Sequence, residues 1–109
     1  MAGGLKLLKF LNAVQAMRSI DPDMTLSQLA TLLTIAKDEG LSVSEIQHRV
    51  GLTRTTGSRI VRSLTNWEGD GKPGFDFIEM RADPMDYRRR IAYLNEKGRK
   101  VVKDAIKHL

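Results

Sequence analysis

The stretch DPMDYRRR at residues 83–90, followed by NEKG at residues 95–98, decides the fold of this chain. Two runs rich in aromatic and branched residues, 75–81 and 87–94, flank the turn residues of this stretch. Such runs around a short turn predict a β-hairpin, here with a basic tip. Asn95 is a good N-cap residue, so a helix is expected to follow the hairpin directly.

Residues 42–64, upstream of the hairpin, indicate a helix-turn-helix. Ser42 opens a Ser-x-x-Glu capping box that begins a short helix, and Thr53 caps a second helix over residues 54–65. The chain must reverse tightly between these helices, and Gly51 stands at that position. A helix-turn-helix followed by a basic hairpin predicts a mainly α fold with a small β-hairpin wing, the winged helix-turn-helix.

The other helices are expected to surround this motif in one domain, residues 1–109. Residues 5–19 predict an amphipathic N-terminal helix, and residues 96–109 predict a C-terminal helix. A helix that begins after Thr25 is expected to occupy the centre of the core. Its expected buried face consists of Leu26, Leu29, Ala30, Leu33 and Ala36. The expected buried positions of the C-terminal helix are Val101, Val102, Ala105, Ile106 and Leu109.

Residues 66–74 separate the helix-turn-helix from the hairpin and contain three glycines and one proline. This composition predicts a loop without a helix or a strand. Trp67 lies in this segment and is expected to pack on the core or anchor the loop, because tryptophan rarely stays exposed without a partner. The alternative for Trp67 is base stacking or contact with a partner.

The charge of the chain favours an anionic partner, since 18 Lys and Arg against 13 Asp and Glu give a net charge of +5. Arg54, Arg59 and Arg62 fall on the expected outer side of the helix over 54–65. No acidic residue occurs between positions 46 and 67. Arginine suits both guanine readout and phosphate contact, so duplex DNA is the expected partner. The alternative is a helical hairpin with a solvated basic face.

The expected wing carries four arginines, Arg81, Arg88, Arg89 and Arg90. Alternation along a strand places Arg88 and Arg90 on one face and Arg89 on the other. Some of them can therefore lie in a narrow minor groove, where the potential is most negative, while others pair with the neighbouring aspartates. The alternative is an edge strand that its charges protect against aggregation.

Few residues in this sequence suggest an enzyme. The chain has no cysteine, which excludes disulfides, thiolate metal sites and cysteine nucleophiles. His48 and His108 are its only histidines, and neither has partners for a zinc site or an acid–base pair. We therefore expect no catalytic residue, no cofactor and no metal. No apolar run approaches the roughly 18 residues of a membrane span, so a cytoplasmic protein is expected.

Residues 42–98 resemble the winged-helix core of the MarR family of bacterial transcription regulators. The resemblance rests mainly on the wing and the helix start that follows it. The matching residues, at matching spacing, are Asp83, Pro84, Asp86, Arg88, Leu94, Glu96, Lys97 and Gly98. Asn95 replaces the family's usual threonine and serves equally well as an N-cap.

The resemblance implies a sequence-specific, double-stranded-DNA-binding transcription regulator. Its recognition helix, 54–65, would enter the major groove and its wing, 81–90, the minor groove. Asp86 would support the wing arginine Arg88. The expected DNA-binding residues are Ser42, Thr53, Arg54, Thr55, Ser58, Arg59, Arg62, Arg81, Arg88, Arg89 and Arg90. Two other readings stay open, a winged-helix module that binds a protein such as a polymerase or another regulator, and a non-specific architectural DNA binder.

Family members usually act as homodimers, and many respond to a small-molecule effector. Here a homodimer would form through helices 5–19 and 96–109, and an effector has no support from the residues. The chain ends at Leu109, before a further long helix of the family, so we expect a short, C-terminally truncated variant. The segment 66–74 is also longer than the family's link between recognition helix and wing.

A further departure concerns two positions inside the helix-turn-helix. Such units usually place a small residue where Gln47 stands and a branched residue where Gly57 stands. We expect the missing side chain of Gly57 to make room for the larger Gln47. Because glycine inside a helix costs roughly 0.5–1 kcal/mol relative to alanine, some such packing reason is needed.

Overall fold

The computed structural model describes residues 3–109, and within them lie five helices and five strands. In chain order these are α1 (Gly4–Ile20), α2 (Leu26–Lys37), β1 (Leu41–Ser42), α3 (Val43–Val50), α4 (Arg54–Leu64), β2 (Trp67–Gly69), β3 (Lys72–Pro73), β4 (Ile78–Asp83), β5 (Asp86–Leu94) and α5 (Glu96–Ile106). The mainly α fold with a β-hairpin wing, predicted from the sequence, is confirmed.

Local capping interactions explain where the helices begin. The side chains of Thr25 and Ser42 each accept a hydrogen bond from the backbone amide three residues on. The side chain of the Gln or Glu at that position accepts one from the amide of the N-cap residue. Thr53 and Asn95 cap α4 and α5 through their side-chain oxygens. Gly51 ends α3 with a φ of +86°, a conformation that favours glycine.

The wing belongs to a three-stranded antiparallel sheet in the order β1–β5–β4. The short strand β1, which the sequence did not predict, pairs Ser42 with Ile91 and so ties the wing to the start of α3. Strand β4 begins at Ile78 and not at Phe75, because the backbone before it is already bonded elsewhere. The amides of Phe75 and Phe77 donate to the carbonyls of Ser63 and Leu64 at the end of α4, both at 2.9 Å.

The core joins α2, α3, α4, the wing sheet and α5. Its largest fully buried side chains are Phe77, Leu32, Ile35, Ile46, Leu64, Ile78 and Thr31. Gly98 lies so close to the wing that a Cβ there would stand 2.0 Å from the carbonyl oxygen of Phe77. The glycine of the NEKG stretch is thus needed for α5 to approach the start of β4.

The predicted buried face of α2 is right only in part, since Leu29 and Ala36 are half-buried against the core. Thr31, Leu32 and Ile35 are the residues that point into the core, whereas Leu26 is 84% exposed. The helix is apolar on two adjacent stripes, and Leu29 and Leu33 belong to the second stripe, which faces α1 and α5. Burial of Thr31 is tolerated because its hydroxyl donates to the carbonyl of Ser27 at 2.7 Å.

The expected buried positions of the C-terminal helix are also right only in part. In the last helix, Val101, Val102 and Ala105 are buried as predicted, but Ile106 and Leu109 are exposed. In α1 only Met17 is buried. The N-terminal half of α1 extends past the body and exposes Leu5, Leu7, Leu8, Phe10 and Leu11.

The prediction of an irregular loop at 66–74 is also wrong. Strands β2 and β3 form a small antiparallel hairpin there, with Trp67 paired with Pro73 and Gly69 with Lys72. Its two-residue turn consists of Asp70 (φ +51°) and Gly71 (φ +76°). Trp67 is not anchored in the core, since it is 57% exposed on this hairpin.

Candidate nucleic-acid interface

Helix α4 presents a basic face that other side chains do not neutralise. Its inner side is formed by Gly57, Val61, Ser63 and Leu64, which are buried. The outer positions Arg54, Thr55, Ser58, Arg59 and Arg62 are all exposed. Within residues 3–109, none of these three arginines forms an ion pair. Their positive charge is therefore available to an external anion.

The packing of α3 against α4 holds this face in place. A Cβ at Gly57 would lie 3.1 Å from Cβ and 3.2 Å from Cγ of Gln47, tighter than ordinary packing. Gln47 therefore occupies the room that a side chain at position 57 would take, as expected from the sequence. The two helices can approach closely despite the large residue on α3.

A groove between α3 and α4 opens on the same side of the molecule. It is lined by Val43, Ser44, Gln47, His48, Arg54 and Ser58. Neither Ser44 nor His48 was among the predicted site residues. Their spacing of four residues places both on one side of α3 and could have identified them. Both are exposed beside Arg54.

The tip of the wing is organised by two aspartates. Asp83 accepts a hydrogen bond from the amide of Met85 at 2.9 Å, which shapes the turn. Asp86 accepts from the amide of Arg88 at 3.1 Å and faces its Nε at 3.4 Å. The Arg88 side chain is nonetheless 94% exposed, so its guanidinium projects from the molecule with its base held.

Three predicted contact residues have partners within the protein, and of these only Ser42 is buried. Ser42 is only 6% exposed, and its hydroxyl caps α3. Arg81 pairs with Glu79 and stacks on the ring of Tyr93, 4.2 Å from its centre. Arg89 bonds to Glu45 and to the hydroxyl of Ser42.

The other predicted residues are exposed at the expected places. Thr53 is exposed although its oxygen caps α4, at 3.3 Å from the amide of Thr56. Arg90 is exposed on the wing and donates to the carbonyl of Met80 at 3.3 Å. The candidate interface thus consists of Thr53, Arg54, Thr55, Ser58, Arg59 and Arg62, with Arg88 and Arg90 from the wing and Ser44 and His48 from α3.

Across residues 3–109, no group of three or more His, Asp or Glu side chains is placed to hold a metal ion. Among the helices of these residues, none has both the length and the apolar character that a membrane span requires.

Comparison with solved structures finds the same fold in several bacterial proteins. RV1404 from Mycobacterium tuberculosis superposes with a TM-score of 0.75 at 20% identity, over 98% of this chain and 65% of that one. The DNA complex of MepR from S. aureus gives a TM-score of 0.72 at 24% identity, over 90% and 73%. MarR itself gives 0.66 at 22% identity, over 94% and 66%.

These neighbours define the class of this protein by its fold: it is a MarR-like winged-helix protein. The resemblance inferred from the wing and the NEKG stretch is thus confirmed at the level of the fold. The chain spans about two thirds of the length of RV1404 and of MarR, 65% and 66%. No protein-family model matches the sequence, and a search of the curated proteins finds no match.

Proposed function

We propose that this protein is a sequence-specific regulator of transcription that binds double-stranded DNA. The observation that carries the proposal is the exposed face of α4, where Arg54, Arg59 and Arg62 have no ion-pair partner among the described residues. An α-helix fits the major groove of B-DNA, and arginine can bond both acceptors of a guanine there. The fold shared with MepR, whose structure contains DNA, supports the same use of this face.

The wing adds a second point of contact in this proposal. Arg88 projects from the hairpin tip, with its base held by Asp86. A minor groove next to the recognised major groove has a strong negative potential where it is narrow, and it attracts an inserted arginine. Ser44 and His48 on α3 and Thr53 at the start of α4 would contact phosphates, which fix the register without reading sequence.

The proposal includes a homodimer built from α1 and α5. Leu7 and Phe10 of α1 are 68% and 64% exposed, and Ile106 and Leu109 at the other end of the chain continue this apolar surface. A small, wholly apolar pocket of about 120 Å³ lies between α1, α2 and α5. Contiguous apolar surface of this kind marks an association site, and a second copy would bury it.

The test of DNA binding compares two variants that affect different exposed features. In Arg54→Ala/Arg59→Ala the cationic face of α4 is lost, while Trp67→Ala removes the large exposed ring of the β2–β3 hairpin. Binding is measured by fluorescence anisotropy on a labelled pool of randomised 24-base-pair duplexes at low salt. We expect the double variant to lose most of its affinity while Trp67→Ala keeps it.

Circular dichroism supplies the control, because both variants alter exposed residues and are expected to keep the helical spectrum and melting temperature of the wild type. A wild-type protein that fails to bind the pool at low salt would contradict the proposal. Wild-type affinity in Arg54→Ala/Arg59→Ala would contradict the role given to α4. Loss of affinity for the duplex pool only in Trp67→Ala would instead assign the DNA contact to the β2–β3 hairpin, through base stacking.

A further inference from the structure

The three adjacent arginines of the wing have different surroundings. Arg88 is held at its base by Asp86 and projects outward, and Arg90 donates to the carbonyl of Met80 on β4. Arg89 points to the opposite face of β5, as strand alternation requires. There it reaches the start of α3, more than 40 residues away in sequence, where Glu45 and Ser42 accept its hydrogen bonds.

The contact between Arg89 and α3 is a small network of polar groups. Nη2 of Arg89 donates to a carboxylate oxygen of Glu45 and, at 3.2 Å, to the hydroxyl of Ser42. Its Nε faces the carboxylate of Asp83 at 3.9 Å. The Arg89 side chain is 45% exposed, and Asp83 only 18%. One guanidinium thus joins the tip of the wing to the first turn of the helix-turn-helix.

The residues that accept hydrogen bonds from Arg89 also have structural roles of their own. Ser42 caps α3, and the backbone of Ser42 pairs with Ile91 of β5. Glu45 completes the capping box by accepting from the amide of Ser42 at 3.1 Å. The wing's β-ladder with β1 is only two residues long, so it is a weak hinge by itself. A side-chain bond farther along β5 would fix the angle between wing and helix-turn-helix.

We propose that Arg89 and Glu45 form a clamp that positions the wing against the helix-turn-helix, and that Arg89 itself does not contact DNA. In this proposal the clamp fixes the position of Arg88 relative to α4. This inference rests on the proposed function for its consequence in DNA binding. The clamp itself is a property of the free protein and can be measured there.

The direction in which Glu45→Gln changes the affinity for DNA distinguishes a clamp from a DNA contact. Glu45→Gln removes a negative charge near the interface, so electrostatics alone would strengthen DNA binding. Glutamine still completes a capping box, as Gln28 does for α2, so α3 stays capped. If the clamp positions the wing, Glu45→Gln must instead weaken binding, by about two- to fivefold for a partly exposed ion pair.

The DNA experiment uses Glu45→Gln, Arg89→Gln and the double variant on the randomised duplex pool over a range of salt. We expect both single variants to weaken binding, the double variant to be no weaker than Arg89→Gln, and all slopes of log affinity against log salt to match the wild type. Loss of a phosphate-contacting arginine would lower that slope by about 0.9 for each contact. Lys100→Gln, on the exposed side of α5, controls for the loss of one positive charge.

Stronger binding by Glu45→Gln, or a lower salt slope in Arg89→Gln, would overturn the clamp and make Arg89 a DNA contact.

The free protein provides the second measurement. Because the chain has no cysteine, Lys37→Cys on α2 and Met85→Cys at the wing tip accept spin labels at defined positions. We expect a narrow distance distribution by electron–electron double resonance, broadened by Glu45→Gln and by Arg89→Gln but not by Lys100→Gln. An unchanged distribution in both would refute the clamp, whether or not the protein binds DNA.

Discussion

Two residues inside the helix-turn-helix have exchanged sizes relative to the usual pattern, and the structure shows how this is accommodated. The room beside Gly57 is taken by the side chain of Gln47, which would meet a Cβ at 3.1 Å. The exchange was predictable because the two positions face each other in any helix-turn-helix. The distance was not predictable, since it depends on how far apart α3 and α4 settle.

The substitution Gly57→Val is expected to destabilise the protein by about 1–3 kcal/mol, because an overpacked site forces its neighbours to shift. In a Gln47→Ala background that clash is gone, so Gly57→Ala should stabilise by about 0.5–1 kcal/mol through helix propensity. Urea unfolding of the variants measures both effects. A higher stability of Gly57→Val in the wild-type background would show that Gln47 does not fill this space.

At the scale of elements, Glu39 joins α2, β5 and α5 at one point. Its carboxylate accepts from both terminal nitrogens of Arg99, at 2.8 and 2.9 Å, and from the amide of Leu94 at 2.8 Å. Burial alone would raise the pKa of Glu39. The hydrogen bonds from Arg99 and the Leu94 amide, with the charges of Arg99 and Arg81, outweigh burial and hold that pKa below its ordinary value of 4.5.

The lowered pKa of Glu39 determines how the stability contributed by this residue depends on pH. A carboxyl whose pKa is lower in the folded than in the unfolded protein stabilises the fold at pH values above its pKa in the unfolded protein. That stabilisation is lost as the pH falls through the pKa of the folded protein. At pH 7 we expect Glu39→Gln to reduce the free energy of unfolding by about 1 kcal/mol, the scale of one charged hydrogen bond. Below pH 4 the free energies of unfolding of Glu39→Gln and the wild type should become more similar. A constant difference from pH 7 to pH 3, by urea unfolding, would contradict this account.

Elements whose limits are set locally were predictable, and those that depend on tertiary partners were less so. The caps at Thr25, Ser42, Thr53 and Asn95 are local side-chain bonds, and the corresponding helices begin there. The buried stripe of α2 could not be chosen, because two apolar stripes lie side by side on that helix. Which stripe enters the core depends on how α2 packs against α3, α4 and β5.

The β2–β3 hairpin was missed although the sequence carried a signal for it. Asp-Gly is a favoured turn in two-residue hairpins, because both positions need a positive φ. Asp70 and Gly71 adopt that conformation. The three glycines of the segment were taken as breakers, whereas two of them, Gly69 and Gly71, supply positive φ values to the hairpin. Paired strands as short as these need little strand propensity.

At the scale of the whole molecule, the fold places the basic face of α4 and an arginine-tipped wing on a body with a separate apolar end. The sequence predicted the order of these parts, and most of the residues that it assigned to DNA contact are exposed. It did not predict that Arg81 pairs with Glu79 on the same strand, or that Arg89 bonds to Glu45 on another element. Nor did it predict the extent of the apolar surface on α1, where Leu7 is 68% exposed.

The central claim, sequence-specific binding of duplex DNA by a dimer, is tested most directly by selecting bound sequences from a randomised duplex library with purified protein. We predict enrichment of an inverted repeat whose half-site centres are about 10–10.5 base pairs, or one turn, apart, because a two-fold dimer presents two recognition helices to one side of the duplex. A single enriched half-site would retain sequence reading but contradict the dimer. No enrichment even at low salt would contradict the claim itself.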